Sequence, residues 1–170
     1  MALQLFKIAD VTISSPVTDV TFSNIPSGYT DLKLVISGRR SASFSDGQIR
    51  FNGNSSTVYS SRQLRGDGSA TVSTSTSGAA QAIIGQPFAR GNSTSNTFSN
   101  AEIYIPNYTS SNNKSLSIDT VTENNATAAD ACLTASLWAN TAAITSFTIY
   151  PDIGYGTIEA NSTFTLYGVL

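Results

Sequence analysis

Histidine is absent from this 170-residue chain, and cysteine occurs once, as Cys132. These two facts remove most of the common ways in which a protein does chemistry. A serine or cysteine nucleophile lacks its imidazole base, and a zinc or other histidine-held metal lacks its ligands. A disulfide within the chain is excluded as well. Cys132, between Ala131 and Leu133, reads as a small buried hydrophobe rather than a nucleophile.

Carboxylates remain. General acid-base work needs two of them held a set distance apart, and the eleven acidic residues are dispersed. Asp119 and Glu123 are an even number of residues apart and share a face if their strand continues that far. As a strand end running into solvent they carry no chemistry. Asp46, Asp67 and Asp152 stand in loop-like stretches, but calcium needs several converging oxygens and no EF-hand spacing is present. No glycine-rich loop opens a helix, so phosphate-cradle and dinucleotide motifs are missing. The expectation is a protein that is not an enzyme and holds no cofactor and no metal.

Flat rings are the other resource. Seven tyrosines and Trp138 could stack on a sugar beside asparagine and aspartate hydrogen-bonders, although aromatics in strands are common for packing reasons alone. Tyr155, between Gly154 and Gly156, is the ring least easily assigned to a core. Tyr108 beside Asn107 is next. With Asp152, these four residues are the candidate partner-contact loops.

Charge limits the partners further. The pI near 4.8 and nine scattered basic residues make no positive stripe for nucleic acid. Arg39-Arg40 and Arg62/Arg65 are the only local concentrations, and they read as solvated strand ends. No stretch approaches the ~20 apolar residues of a membrane span. The first ten residues lack the basic, apolar and small-residue order of a signal peptide, so synthesis in a reducing cytoplasm is expected. Six Asn-x-Ser/Thr triplets follow from composition, because 26 serines, 21 threonines and 13 asparagines fill the chain.

The elements that would position these side chains are strands. Leu32, Leu34 and Ile36 alternate with Lys33, Val35 and Ser37, and the period of two recurs at Ile49/Phe51, Ile103/Ile105, Leu116/Ile118, Phe147/Ile149 and Phe164/Leu166. Turn formers separate the runs, among them Pro26-Ser-Gly28, Asn52-Gly-Asn54, Gly66-Asp-Gly68 and Asp152-Ile-Gly154. Residues 127–143 are alanine-rich and read either as a strand with Cys132 and Trp138 inward or as a short helix. Ten or eleven strands are expected, drawn from runs near 3–13, 17–24, 31–38, 48–53, 57–64, 69–75, 80–85, 100–106, 115–122, 131–138, 144–150 and 162–169. The reading is an all-β, two-sheet antiparallel sandwich of jelly-roll type with about ten strands, four or five to a sheet. An immunoglobulin-like sandwich, which needs fewer strands, is second. No linker divides residues 1–170, which are read as one domain.

One physical feature bears on assembly. Sandwich edges are usually protected by charge, and only Lys7, Lys33 and Lys114 are lysines. The run Thr71-Val-Ser-Thr-Ser-Thr-Ser77 is uncharged with high β propensity, so it is either a loop or an edge covered by another subunit. A homo-oligomer is expected. Residues 1–16 look like an added assembly strand, with Phe6, Ile8 and Val11 as candidate interface residues.

Several blocks together resemble a known group. Phe22-Ser-Asn-Ile-Pro-Ser-Gly-Tyr-Thr-Asp-Leu-Lys-Leu-Val-Ile-Ser37, Ile49-Arg-Phe-Asn-Gly53 with Tyr59 and Leu64, Ile103-Tyr-Ile-Pro-Asn-Tyr108, Trp138 through Ile149, and Ser162-Thr-Phe-Thr-Leu-Tyr-Gly-Val-Leu170 carry it. They resemble small jelly-roll virion proteins of tailed bacteriophages, especially those of cyanobacteria and other aquatic bacteria. The resemblance implies a virion structural protein on the capsid surface: a decoration or cement protein, trimeric, bound to the major capsid protein. Its alternative is a tail or tail-fibre component that binds a host-surface receptor such as a glycan. The matching positions are core and turn residues and carry no chemical signature.

Overall fold

The computed structural model describes residues 4–43, 45–126 and 129–170. Their order is β1 (Leu5–Thr12), β2 (Val20–Phe22), β3 (Asp31–Gly38), β4 (Gln48–Phe51), β5 (Tyr59–Gly66), β6 (Thr71–Ala79), β7 (Ala82–Ile83), β8 (Ser99–Ile105), β9 (Lys114–Thr122), β10 (Asp130–Trp138), β11 (Phe147–Tyr150) and β12 (Thr163–Val169). All twelve expected runs are strands, so the count of about ten is low. Helix is absent among the described residues. The 127–143 question resolves to strand from Asp130 onward, with Thr127 and Ala128 outside the described residues.

The strands form two antiparallel sheets in a sandwich-like arrangement. The large sheet runs β1-β12-β3-β8-β9-β10-β5-β6 and the small one β2-β11-β4-β7, eight and four strands in place of the even split expected. The pairings explain the inequality. Four of them nest from the ends of the chain inward: β1 with β12, β2 with β11, β3 with β8 and β4 with β7. Two hairpins interrupt this scheme, β5-β6 after β4 and β9-β10 after β8, and both extend the free edge of β8. The large sheet therefore overhangs the small one.

Alternation places the core. Leu32, Leu34, Ile36, Ile103, Ile105, Leu116, Ile118, Phe164 and Leu166 face inward from the large sheet, and Ile49, Phe51, Phe147 and Ile149 meet them from the small one, all at most 2% exposed. Trp138 packs at 5.4 Å from Phe51 and 6.4 Å from Tyr59, ring centre to ring centre. Each such aromatic buries ~150–250 Å² and dominates the local packing energy. The Tyr59 hydroxyl donates to the Asn54 carbonyl at 3.0 Å and accepts the Phe51 amide at 3.1 Å, which fastens the β4–β5 turn. That turn needs two successive residues at positive φ, and Asn52 (50°) with Gly53 (66°) supplies them.

Residues 71–77 lie in β6, in keeping with the strand expected at 69–75 and not with the loop alternative. Two expectations are corrected here. The N-terminal strand is not an addition to the fold. It pairs with β12 over Leu5–Thr12, with a bulge at Ile8, and Ile8 and Val11 pack against the core. Phe6 stacks on Tyr29 at 6.0 Å. Tyr108 is no surface ring: it is fully buried, and its hydroxyl donates to the Pro26 carbonyl. Its neighbour Asn107 takes positive φ, and that turn folds the ring back under the sheet.

Candidate functional site

The connection from β7 to β8 runs through the interior. Residues 84–89 are all buried, and a buried connection brings backbone donors and acceptors that need partners. The chain meets this need in two ways. Backbone bonds join Ile84 to Gly47, Gly85 to Gly47, and Ala89 to Gly38 and Arg40. Polar side chains do the rest: the Thr120 hydroxyl accepts the Gln86 amide at 3.1 Å, and Ser136 donates to the Ile83 carbonyl at 2.6 Å. The inward faces of β5, β9 and β10 are therefore polar at this end, with Ser61, Gln63, Thr120, Thr122, Cys132, Thr134 and Ser136 buried.

Within this polar half lies Arg40, fully buried. Its Nη2 donates to Gln86 Oε1 at 2.8 Å, and its Nη1 donates to the Ser45 carbonyl and to Ser45 Oγ. Gln86 in turn donates to Asp46 Oδ1 at 2.7 Å, so an amide stands between the guanidinium and the carboxylate. Burial pulls the Arg40 pKa down to about 10, with Arg90 adding to the effect. Asp130, buried, takes Arg90 on one oxygen and Arg65 at 3.7 Å on the other. Burial also pushes the Cys132 thiol up, away from the reactive thiolate. These groups hold three connections together around one another.

The remaining sequence candidates scatter. Asn107 is exposed and donates its backbone N–H to Asp31 Oδ1 at 2.7 Å. Asp152 and Tyr155 lie on the loop after β11. Burial raises the Asp152 pKa, and Tyr155 is 69% exposed between Gly154 and Gly156, both at positive φ. Phe6, Ile8 and Val11 sit at the far edge, on β1. Asp119 and Glu123 are both exposed, and Glu123 accepts the amides of Asn124 at 3.0 Å and Asn125 at 2.7 Å. Among the described residues no group of carboxylates and cysteine converges to hold a metal ion.

A different surface stands out. β10 turns Cys132, Thr134 and Ser136 inward and Ala131, Leu133 and Ala135 outward, the reverse of an ordinary half-buried strand. β5 does the same with Gln63 inward and Leu64 outward. Leu133 and Leu64 are direct cross-strand partners, 60% and 50% exposed. Val121 is also exposed on this face and pairs with Ala131. A shallow groove of about 450 Å³ runs beside the two leucines toward Thr71. The buried connection accounts for the polar inner positions. Nothing among the described residues accounts for aliphatics on the outer ones.

Beyond β5 the sheet ends in β6, whose nine residues are exposed or half-buried on both faces. No strand pairs with its far side among the described residues. Sequence reasoning offered β1 at the opposite edge and the 71–77 edge as candidate contacts, and did not single out the face that carries Leu64 and Leu133. The signal was present: if Cys132 and Trp138 face inward, the period of two turns Leu133 and Leu137 outward. The site is thus a face and an edge built by strand parity, and it holds no reacting group. Comparison of the chain with protein-family models, curated proteins and solved structures finds no match in any of the three.

Proposed function

We propose that the chain is a non-enzymatic structural protein of a tailed-phage virion, a capsid cement that bridges neighbouring subunits of the major capsid protein. The observation that carries this reading is the pair Leu64/Leu133 on the uncovered outer face of the large sheet, backed by a polar inner face. A flat, stable, weakly charged sheet with aliphatics on its outer side is suited to lie against another protein surface. A formal net charge of -2 also lets many copies crowd on one shell without strong mutual repulsion.

The strand pairings support the finer reading of the fold as a jelly roll. Without the two inserted hairpins, eight strands pair first with last, second with second-last, and so on inward. Successive strands of that set alternate between the sheets except at β4 and β7, which pair directly in the small sheet, as when one long antiparallel ribbon closed by a hairpin is wrapped around a core. Together with the sequence blocks that resemble phage virion proteins, this topology supports reading the chain as a virion structural protein. Purified protein added to particles lacking it should co-sediment with them at saturating, symmetry-fixed stoichiometry; failure to bind any capsid surface would remove the proposal.

One observation favours a second reading. Tyr155 is an exposed aromatic on a loop whose two flanking glycines hold it clear of the core. A ring so placed, near Asp152, suits stacking on a host-surface glycan, and the chain would then belong to the tail. Tyr155→Ala that abolishes host adsorption while leaving the shell as stable as before would favour this alternative.

A further inference from the structure

We infer that β6 is a docking edge for a second copy of this chain, joined antiparallel about a two-fold axis through Thr74. This contact goes beyond the cement reading and does not depend on where in a virion the protein sits. Three observations lead to it.

The first is that the edge is unprotected. Natural edges carry lysine, proline, a mid-strand bulge or a covering loop. Residues 68–81 contain no charge and no proline, and the pairing of β6 with β5 is regular from Thr71 to Ser77. The opposite edge differs. β1 has a bulge at Ile8 and a Lys7–Asp10 ion pair at 2.8 Å, the usual protections.

The second is self-complementarity. Antiparallel pairing about Thr74 sets Thr71 against Ser77, Val72 against Thr76 and Ser73 against Ser75. Residues of the same parity meet, so the outer face of one copy continues the outer face of the other. Small hydroxyl side chains oppose small hydroxyl side chains, which suits cross-strand pairs. The neighbouring arginines do not interfere. Arg62 and Arg65 stand on β5, one strand back, so three strand spacings, ~14 Å, separate β5 of one copy from β5 of the next. That exceeds the screening length of ~8 Å at physiological salt.

The third is charge at the ends. Asp67 precedes β6, and its Oδ1 accepts the Ser69 and Ala70 amides at 2.9 and 2.8 Å. At the other end Arg50 donates to the Ala80 carbonyl at 3.3 Å and to Gln81 Oε1 at 3.2 Å. The regular register ends at a bulge at Gly78, but antiparallel pairing about Thr74 still sets the Asp67 end of one copy beside the Arg50 end of the other, carboxylate toward guanidinium. The symmetry repeats this at both ends. A parallel contact would instead join like ends. The arrangement is isologous and closes at two copies, not at the three that the sequence resemblance implies.

Light scattering on the purified full chain tests this, with Thr74 as the probe because it is exposed at the free edge. The wild type should be a dimer. Thr74→Lys and Thr74→Glu should each weaken dimerisation about tenfold or more, because like charges then meet at the axis. Their mixture should restore the dimer. Thr74→Cys should form an intermolecular disulfide under mild oxidation, since directly opposed antiparallel residues lie ~4.5–5.5 Å apart. The one native cysteine is buried and does not compete. A wild-type monomer or trimer, or a dimer that the charged variants leave intact, overturns the inference.

Discussion

The exposed leucines give the account its most quantitative test. Fully burying a leucine contributes roughly 1.5–3 kcal/mol relative to leaving it in water. Leu133 and Leu64 still expose 60% and 50% of their surface, so covering both would add about 2–3 kcal/mol to an association. That is a factor of about 30–150 in affinity for each copy bound. The double substitution Leu64→Thr/Leu133→Thr introduces β-branched strand formers and removes most of that apolar surface. Because both positions are already exposed, the folded chain loses little, and its melting temperature should move by less than about 3 °C. Two assays separate the effects: thermal unfolding of the purified protein, and co-sedimentation with particles that lack it. The expected result is an unchanged melt with binding weakened by at least about tenfold. A drop of about 10 °C would mean that the leucines already serve the fold. Unchanged binding with an unchanged melt would mean that this face is not the contact.

Further outcomes follow from the interior and the loops. Asp130→Ala leaves Arg65 and Arg90 facing a site without its carboxylate; the expected loss is about 3 kcal/mol, a fall in melting temperature of about 6–12 °C, with Asp130→Asn intermediate. Asp67 is held at a pKa of about 2, chiefly by the Ala70 and Ser69 amides. Its folded value lies below the ordinary 3.8, so its contribution to the β5–β6 hairpin is complete above about pH 4 and is lost as pH falls through about 2. Protection of the Ser69 and Ala70 amides, measured against their intrinsic exchange rates, should fall over that window in the wild type and be low at all pH values in Asp67→Ala. Tyr155→Ala should leave the melting temperature within about 2 °C, since its ring makes no core contact.

Strand existence was legible because a period of two with buried aliphatics on one face is a local pattern. β3 and β12 read directly from Leu32/Leu34/Ile36 and Phe164/Leu166. Sheet membership was not legible. The pairing of Leu5 with Val169 or of Val20 with Ile149 joins residues whose local patterns say nothing of each other. The same gap hid the status of β1, which looked like an addition until β12 was seen beside it. Tyr108 misled for a related reason: it follows a turn residue, and its burial depends on Pro26, far away in sequence. The outer face is a harder case. With Cys132 and Trp138 inward, the period of two already turns Leu133 outward. What the sequence did not show is why the inner positions are polar, which follows only from the buried connection at 84–89 and its need for polar partners.

The central claim is that this chain strengthens a viral shell by contact alone, and copy number by location tests it most directly. On the proposed reading, the protein would be labelled in intact virions of a phage whose genome carries this sequence and imaged by electron microscopy. The account predicts hundreds of copies spread over the icosahedral shell, at positions bridging major capsid subunits. A few copies confined to the tail, or none in the virion, would contradict it.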